Sequence, residues 1–417
     1  MTHAIRGFLS GQRIGVLTIS LLFAAAGLAT APAAFAGNAN EHWVGTWSTA
    51  LHEPDTRIAP INAMNPGFNN QTLRQIVHTS VGGRQVRVRL STFGAASSLV
   101  IGAAHIALRD TGAAIVPGSD RTLTFSTPSS ITIPPGATVL SDPVDLDVPA
   151  LTDLAVSIFV PESTGPATWH NLARQTSYIS PPGDFTASAL MPVASTTQAW
   201  FWLAGVEVMA STQTGAIVIL GDSITDESAP DTNNRWPDHL ALRLMAQPDK
   251  MGVLNKGIAG NKVLHDIIGP NALARFDHDV LTQTGVRHVI VLEGNNDFLF
   301  VFNPADAVTA NQIIEGHRQL IERAHALGLK IYGGTLTPFG GFAPFSTPEG
   351  EAKRQAVNDW IRTGGAFDGV IDFDAAVRDP NDPTRMLAKF DRGDHLHPNP
   401  DGFKAMADAI DLNLFKN

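Results

Sequence analysis

The chain has 417 residues, no cysteine and a formal net charge of −10 at pH 7. This length is sufficient for two domains and a large hydrophobic core. The acidic balance argues against a polyanionic partner such as nucleic acid. The lack of cysteine excludes a cysteine nucleophile, thiolate metal ligands and iron–sulfur clusters, so the core must stabilise the fold without disulfide bonds.

The first 36 residues are typical of a signal peptide. Arg6 and Arg13 precede an apolar run at residues 14–28, and residues 34–36 form the small-x-small cleavage site Ala-Phe-Ala. A membrane anchor is the alternative, but the small residues before the cleavage site favour removal. No later stretch has the roughly 18 apolar residues of a membrane span. We therefore expect a secreted or periplasmic protein without a membrane span after signal removal.

Residues 37–213 are predicted to form an all-β sandwich of jelly-roll type. Residues 85–91 alternate polar and apolar side chains with a period of two, as a half-buried strand does. Further strand candidates lie at residues 99–108, 121–125, 147–148 and 154–160. Glycine and proline turns separate them, and many short strands with regular turns are typical of a sandwich.

From residue 214 to residue 417 short strands alternate with helices. Short apolar runs predict strands at residues 216–220, 253–254, 288–293, 330–336 and 370–373. Helices are predicted at residues 236–245, 271–281, 304–327, 348–363 and 400–414. This alternation predicts an α/β domain with a parallel sheet and helices on both of its faces. The domain boundary is expected between residues 213 and 214.

The first predicted strand of this domain ends in Gly221-Asp222-Ser223. In open α/β sheets, ligands bind beyond the carboxyl ends of the strands. Ser223 is therefore a candidate nucleophile. The alternative is an ordinary turn with an aspartate cap, because Gly, Asp and Ser are common turn residues.

Two further motifs follow the next two strands. Residues 255–261 read Asn-Lys-Gly-Ile-Ala-Gly-Asn, and the glycines allow backbone N–H groups to approach a ligand closely. Residues 294–297 read Gly-Asn-Asn-Asp, and a carboxamide at this place can donate a hydrogen bond to an oxyanion. Each motif taken alone is also compatible with a simple turn.

The last motif places Asp394 three residues before His397. A carboxylate at this spacing can accept the imidazole Nδ1–H and leave Nε2 free as a base. Asn399 is predicted to cap the last helix, with Pro400 in its first position. A surface cap with incidental histidines is one alternative. A metal site is another, built from the nearby side chains His395, His397, Asp391 and Asp394, but no clear further ligands recur in the chain and no metal is predicted.

Together, the four motifs resemble the SGNH, or GDSL, hydrolase superfamily in order and spacing over residues 214–417. The resemblance implies a flavodoxin-like three-layer fold and a cofactor-independent serine esterase that hydrolyses O-acyl esters. It implies Ser223 as the nucleophile, His397 as the base and Asp394 as the third member of the triad. It also implies an oxyanion hole made by the backbone N–H groups of Ser223 and Gly260 and the side chain of Asn296.

Two positions depart from the family pattern. Ile224 replaces the leucine of the GDSL motif, which is a conservative change. His395 stands where glycine is common in the family, and it is expected at the rim of the site.

The N-terminal half resembles a subgroup of secreted GDSL esterases that carry a β-domain before the hydrolase domain. The resemblance rests on residues 42–47, 73–78 and 168–170. Some members of this subgroup are associated with plant cell-wall breakdown. Exposed tryptophans of this half could stack on sugars, but large aromatic side chains are more often core. The tryptophans in question are Trp43, Trp47, Trp169, Trp200 and Trp202.

The sequence leaves the ester open. Short-chain esters and acetylated or aryl-acylated sugars fit the resemblance. Phe298, Phe300, Phe302 and residues 339–345 could line an acyl pocket, which keeps a lipase or lysophospholipase as an alternative, or they could pack in the core. A further alternative is a carbohydrate-binding protein whose hydrolase half is inactive.

Overall fold

The two halves of the chain contain different kinds of β-sheet. The computed structural model describes residues 40–54, 61, 64–65 and 67–416. The predicted signal peptide lies outside these residues. Among the helices of the described ranges, none is long and apolar enough to cross a membrane.

Antiparallel strands make up the N-terminal half, as predicted. In chain order they are Glu41–Ser48 (β1), Gln71–His78 (β2), Gly83–Ser91 (β3), Leu99–Ile101 (β4), Ala103–Leu108 (β5), Arg121–Thr122 (β6), Ile131–Ile133 (β7), Thr138–Leu140 (β8), Val144–Val148 (β9), Asp153–Val160 (β10), Trp169–His170 (β11), Ser177–Pro182 (β12), Ser195–Thr197 (β13), Trp200–Phe201 (β14) and Leu203–Ser211 (β15). One sheet has the order β1-β15-β3-β8, with β9 also paired to β3, and another has the order β13-β12-β2-β10-β5-β6. The jelly-roll topology stays a prediction.

Strand β3 follows the period-two pattern that predicted it. Val86, Val88 and Leu90 are fully buried in the core. The alternate side chains Arg87 and Arg89 lie on the opposite face, where both pair with Glu207 of β15 at 2.6 and 2.8 Å. The alternation of apolar and charged residues therefore separates the core face from a face of partly buried ion pairs.

The C-terminal half is built on a five-stranded parallel sheet, and all five predicted strands are present. They are Gly215–Gly221 (β16), Met251–Gly257 (β17), Val286–Leu292 (β18), Lys330–Gly334 (β19) and Gly369–Ile371 (β20). The spatial order is β17-β16-β18-β19-β20, which is the flavodoxin-like order. Residues 216–220 of β16 are all fully buried, as expected for a central strand covered on both faces.

Helices cover the parallel sheet. They are Ser223–Asp226 (α1), Trp236–Met245 (α2), Ala272–Phe276 (α3), Asn295–Leu299 (α4), Ala310–Ala326 (α5), Pro348–Thr363 (α6), Phe373–Val377 (α7) and Pro400–Asp408 (α8). A π-helical turn, Asp277–Leu281, extends α3, and 3₁₀ turns occur at Pro304–Asp306 and Leu412–Phe415. The predicted bounds of α2 and α6 agree with the structure, whereas three short helices, α1, α4 and α7, were not predicted.

The predicted helix at residues 304–327 was too long at its start. The helix begins at Ala310 because the Thr309 and Gln312 side chains form a capping box there. The last helix was also predicted too long, since α8 ends at Asp408 and the chain continues as a 3₁₀ turn. Both errors concern helix ends, where a tighter turn replaces the α-helix.

The N-terminal half packs along β17, the outermost strand of the parallel sheet. Gly45 of β1 and Gly252 of β17 touch so closely that a Cβ at Gly252 would lie 2.1 Å from the Gly45 carbonyl oxygen. The Val253 N–H donates to Ser80 Oγ at 2.9 Å. The buried Lys256 ammonium donates to the Thr49 carbonyl at 2.6 Å. The halves therefore share a tight backbone contact, while the predicted boundary between residues 213 and 214 stays a prediction.

Candidate active site

The predicted site residues meet at the carboxyl edge of the parallel sheet. Strand β16 ends at Gly221, and Ser223 begins α1 directly after it. A Cβ at Gly221 would lie 2.3 Å from Thr225 Oγ1, so only glycine permits this sharp strand-to-helix turn. The Asp222 side chain accepts from the Ile224 N–H at 2.9 Å and caps α1. This turn places Ser223 at the carboxyl edge of the parallel sheet.

The side chains of Ser223, His397 and Asp394 are connected by hydrogen bonds in that order. Ser223 Oγ lies 2.8 Å from His397 Nε2, and His397 Nδ1 lies 2.8 Å from Asp394 Oδ2. Asp394 Oδ1 accepts from the backbone N–H groups of Leu396 and His397, which folds the loop back on itself as predicted. Burial alone would raise the pKa of Asp394, but the His397 ring, the two backbone groups and a neighbouring guanidinium hold it far below its ordinary value.

The loop that carries His397 is anchored at the last helix. Asn399 accepts from the Gly402 N–H at 3.0 Å and caps α8, and Pro400 takes the first helical position, as predicted. The Asn399 amide also donates to the carbonyl groups of Lys389 and Asp391. The helix start therefore holds the imidazole in place.

The predicted oxyanion donors lie beside Ser223. Gly260 lines a cavity together with Ser223 and has a φ of +79°, a conformation that favours glycine. Within the described residues, the N–H groups of Ser223 and Gly260 donate to no backbone acceptor. Asn296 Nδ2 donates to the Asn261 carbonyl at 2.8 Å and more weakly to Asp222 Oδ2 at 3.3 Å. The amide is therefore held beside Asp222, the residue directly before Ser223.

Arg275 is a buried residue that the sequence did not single out. Its guanidinium donates to the carbonyl groups of Gly221 and Lys256 and to Asn261 Oδ1, at 2.6–3.0 Å. These acceptors lie just before Ser223, at the end of β17 and beside Gly260. One side chain thus connects the two segments that carry the predicted site residues Ser223 and Gly260, and no local motif indicates this.

Asp297, which follows Asn296, is also buried beneath the site. It accepts from the N–H groups of Val263 and Leu264 at 2.8 and 3.2 Å. Burial raises the pKa of Asp297 to about 7. Its carboxyl group holds the loop after Gly260 against α4.

An apolar cavity of about 220 Å³ opens above Ser223 and His397. Its walls are Glu227, Ala259, Gly260, Ile267, Ile268, Phe300, Phe302 and Leu396. Phe300 and Phe302 belong to a cluster of four rings with Phe342 and Phe345, with centroids 5.0–6.4 Å apart. Phe302 is 67% exposed, and the Phe300 carbonyl accepts from Lys262 Nζ at 2.7 Å. These aromatic residues form an open apolar rim.

The phenylalanines singled out in the sequence divide into two groups. Phe298 and Phe339 are buried in the core. Phe300 and Phe302 line the cavity, and the residues 342 and 345 support them. The pocket interpretation therefore applies to the second group only.

His395 lies apart from the series that contains Ser223. It is exposed, has a φ of +66°, and its Nδ1 lies 2.6 Å from Asp391 Oδ2. The ring packs beside Gly341 at the rim. In the described part of the chain, no group of three or more His, Asp or Glu side chains could hold a metal ion.

The tryptophans of the N-terminal half are mainly core residues. Trp43 is half-buried, and the Arg87 guanidinium carbon lies 4.3 Å from its ring centroid. The buried ones, at most 9% exposed, are Trp47, Trp169, Trp200 and Trp202. The core interpretation is correct for these four, and so little of each ring is exposed that a sugar could not stack on its face.

Comparison with known proteins found a family that matches most of the C-terminal half. Residues 219–405 match the model of the GDSL-like Lipase/Acylhydrolase family, which confirms the resemblance over this segment. The match supports an ester hydrolase. Among curated proteins, none matches this sequence.

Solved structures similar to this chain include a GDSL-like lipase from Bacteroides thetaiotaomicron VPI-5482. It is 18% identical, with 48% of this chain and 87% of that chain covered and a TM-score of 0.38. An acetyl xylan esterase from Geobacillus stearothermophilus is 21% identical, with 48% of this chain and 94% of that chain covered and a TM-score of 0.37.

Proposed function

We propose that this chain, which matches the GDSL-like Lipase/Acylhydrolase family over residues 219–405, is a serine esterase that hydrolyses O-acyl esters. The observation that carries the proposal is the continuous series from Ser223 Oγ through His397 to Asp394, with both contacts at 2.8 Å. This is the arrangement that nucleophilic acyl transfer requires.

In the proposed reaction, Ser223 Oγ attacks the ester carbonyl carbon while His397 Nε2 takes its proton. Asp394 orients the ring through Nδ1–H and stabilises the imidazolium that forms. The N–H groups of Ser223 and Gly260 and the amide of Asn296 stabilise the negatively charged oxygen. His397 then protonates the leaving alcohol, and water, deprotonated by the same imidazole, releases the acid from Ser223. The cycle consumes one water and needs no cofactor.

The substrate is proposed to be an ester with a short apolar acyl group. The cavity above Ser223 has mostly apolar walls, and Phe300 and Phe302 form one of them. Such walls suit an alkyl or aryl acyl group that gains free energy on leaving water. A carbohydrate or another alcohol can form the leaving group, and a lipid ester is the alternative that the exposed Phe302 supports.

The remaining parts of the proposal concern organisation and location. Residues 37–213 are proposed as a β-sandwich domain and residues 214–417 as the hydrolase domain. Secretion or periplasmic export rests on the signal-like segment at residues 1–36. A carbohydrate-binding protein with an inactive hydrolase half is disfavoured, because Ser223, His397 and Gly260 all line one cavity.

A direct test uses the full mature chain with p-nitrophenyl butyrate and a serine-directed fluorophosphonate. Wild-type protein should hydrolyse the ester and should carry the label on the peptide that contains Ser223. Ser223→Ala should reduce turnover by about 10⁴-fold or more with an unchanged melting temperature. Hydrolysis at the wild-type rate by folded Ser223→Ala would refute the mechanism.

A further inference from the structure

Arg392 lies against the outer side of the Asp394–His397 pair. Its Nη2 is 2.7 Å from Asp394 Oδ2 and 2.8 Å from His397 Nδ1. The imidazole Nδ1 and the guanidinium thus converge on the same carboxylate oxygen. Because Nδ1–H points at Asp394 in the tautomer that leaves Nε2 free for Ser223, Arg392 acts as a second donor to that oxygen and not as a partner of the ring.

The other end of the guanidinium is held by Glu227. Arg392 Nη1 lies 2.9 Å from Glu227 Oε2, and Arg174 Nη2 lies 3.0 Å from the same oxygen. Glu227 follows α1, is 7% exposed and lines the cavity beside Ser223. Although burial would raise the pKa of Glu227, the charges of His397 and the two arginines hold it below its ordinary value. Glu227 is therefore a fixed negative charge next to the nucleophile.

Arg174 belongs to the N-terminal half, and its backbone is anchored in the C-terminal half. The Arg174 carbonyl accepts from the Asp231 N–H at 2.8 Å. Gln175 donates to Asp231 Oδ1 at 2.7 Å, and Arg235 donates to the Ala173 carbonyl at 2.5 Å. A charged side chain of the N-terminal half is thereby separated from the imidazole by only two side chains, those of Glu227 and Arg392.

We propose that Arg392 is a positioning residue for the esterase reaction and that Glu227, braced by Arg174, offsets its charge at His397. Arg392 fixes the Asp394 carboxylate in the orientation that His397 requires. Its positive charge also opposes the imidazolium that forms when Ser223 is deprotonated, and the negative charge of Glu227 favours that imidazolium. The inference rests on the proposed function, because it assigns roles around the same triad.

The sign of each charge that faces His397 determines whether that charge stabilises or destabilises the protonated ring. Asp394 and Glu227 favour the protonated ring, and Arg392 disfavours it. Asp222, beneath Ser223, is buried, and burial raises its pKa above the ordinary value, so it adds negative charge only at higher pH. The His395 ring belongs to the same loop but is paired with Asp391. Removing Arg392 or Glu227 should therefore move the acid limb of the pH–rate profile in opposite directions.

The experiment measures kcat/KM for p-nitrophenyl butyrate between pH 4 and 9 on the full chain. Arg392→Gln should move the acid limb to higher pH by about 1 unit and reduce kcat by about 10–100-fold. Arg392→Lys should keep the limb near its original position, because the charge remains, but should not restore kcat. Glu227→Gln should move the limb to lower pH, and Arg174→Gln should give a smaller shift to higher pH.

The double variant Glu227→Gln/Arg392→Gln and an exposed control complete the design. The double variant should return the limb toward its wild-type position while kcat stays low. Arg84→Gln, which removes an exposed guanidinium paired with Glu41, should leave the profile unchanged. Shifts of the same sign for Arg392→Gln and Glu227→Gln would overturn the inference, as would a wild-type profile for folded Arg392→Gln. If Ser223→Ala retains full activity, the esterase proposal itself fails, and that outcome is distinguishable from the others.

Discussion

His170 Nε2 in the N-terminal half lies 3.0 Å from Asp226 Oδ1, three residues after Ser223. The other ring nitrogen, Nδ1, lies 2.7 Å from the Ala50 carbonyl oxygen. Both side chains are at most 4% exposed. A buried polar pair costs free energy unless its partners are well placed, so this contact orients α1 relative to the N-terminal half. The helix that begins with the candidate nucleophile is thus fixed from outside its own sheet.

We predict that the two histidines of the last motif differ greatly in their effect on activity. His397→Ala should be nearly as damaging as Ser223→Ala, because base and nucleophile act as a unit. His395→Asn should retain most of kcat, since its ring contacts Asp391 at the rim and asparagine tolerates the positive φ. Steady-state kinetics on both variants provides the measurement. A larger loss for His395→Asn than for His397→Ala would mean that the motif has been interpreted one histidine out of place.

Asn296→Ala should reduce kcat by about 10²–10³-fold and leave KM nearly unchanged. The reason is that its amide is expected to bind the substrate oxygen mainly once that oxygen carries negative charge. Asn295→Ala is the matched control, since Asn295 is equally buried on α4 but donates to Thr337. The control should lower the melting temperature with little change in kcat. Equal kinetic effects of the two substitutions would assign Asn296 a structural role.

Asp297→Asn should change the pH dependence of stability. Because the pKa of Asp297 is raised from 3.8 to about 7, the folded protein keeps a proton that the unfolded chain has lost between about pH 4 and 7. This carboxyl group therefore makes the free energy of unfolding fall as the pH rises through that window. Relative to wild type, the variant should gain up to about 1.4 kcal/mol per pH unit there. Urea unfolding at a series of pH values measures the difference, and a flat difference would contradict the prediction.

Phe302→Ala should alter the preference for acyl length. Relative to p-nitrophenyl acetate, kcat/KM for the hexanoate should fall by about 3–10-fold, because each buried methylene contributes about 0.8 kcal/mol. Leu327→Ala is the matched control, since Leu327 is also an exposed apolar side chain, 59% exposed, at the end of α5. It should not change the ratio of the two esters. An unchanged ratio in Phe302→Ala would place the acyl group elsewhere.

The sequence was sufficient to predict the parallel sheet, because apolar runs identify buried strands. Ligands bind beyond the carboxyl ends of such strands, which made Ser223 a candidate nucleophile. The convergence of His397 and Asp394 with Ser223 was implied by the resemblance to the GDSL hydrolases. The start of α5 could also have been found, since Thr309 and Gln312 form a recognisable capping box.

Arg392 and Arg275 could not have been identified in this way. Neither stands in a motif, and an arginine in a loop or on a helix is normally a solvated surface residue. Their roles depend on acceptors from distant segments, such as Glu227 for Arg392 and Gly221 for Arg275. Contacts of this kind arise only when the loops have folded together.

The contact between the N-terminal half and β17 has a consequence for attempts to shorten the protein. An edge strand with free N–H groups is a template for pairing with another chain. In the intact protein, the Val253 N–H of the edge strand β17 donates to Ser80 Oγ. A fragment that starts at residue 214 would expose this edge strand together with the surface that faces Gly252. Such a fragment should aggregate edge to edge, so its loss of turnover would report self-association together with the loss of the His170 and Arg174 contacts. A charged residue or a proline introduced on β17 should restore its solubility.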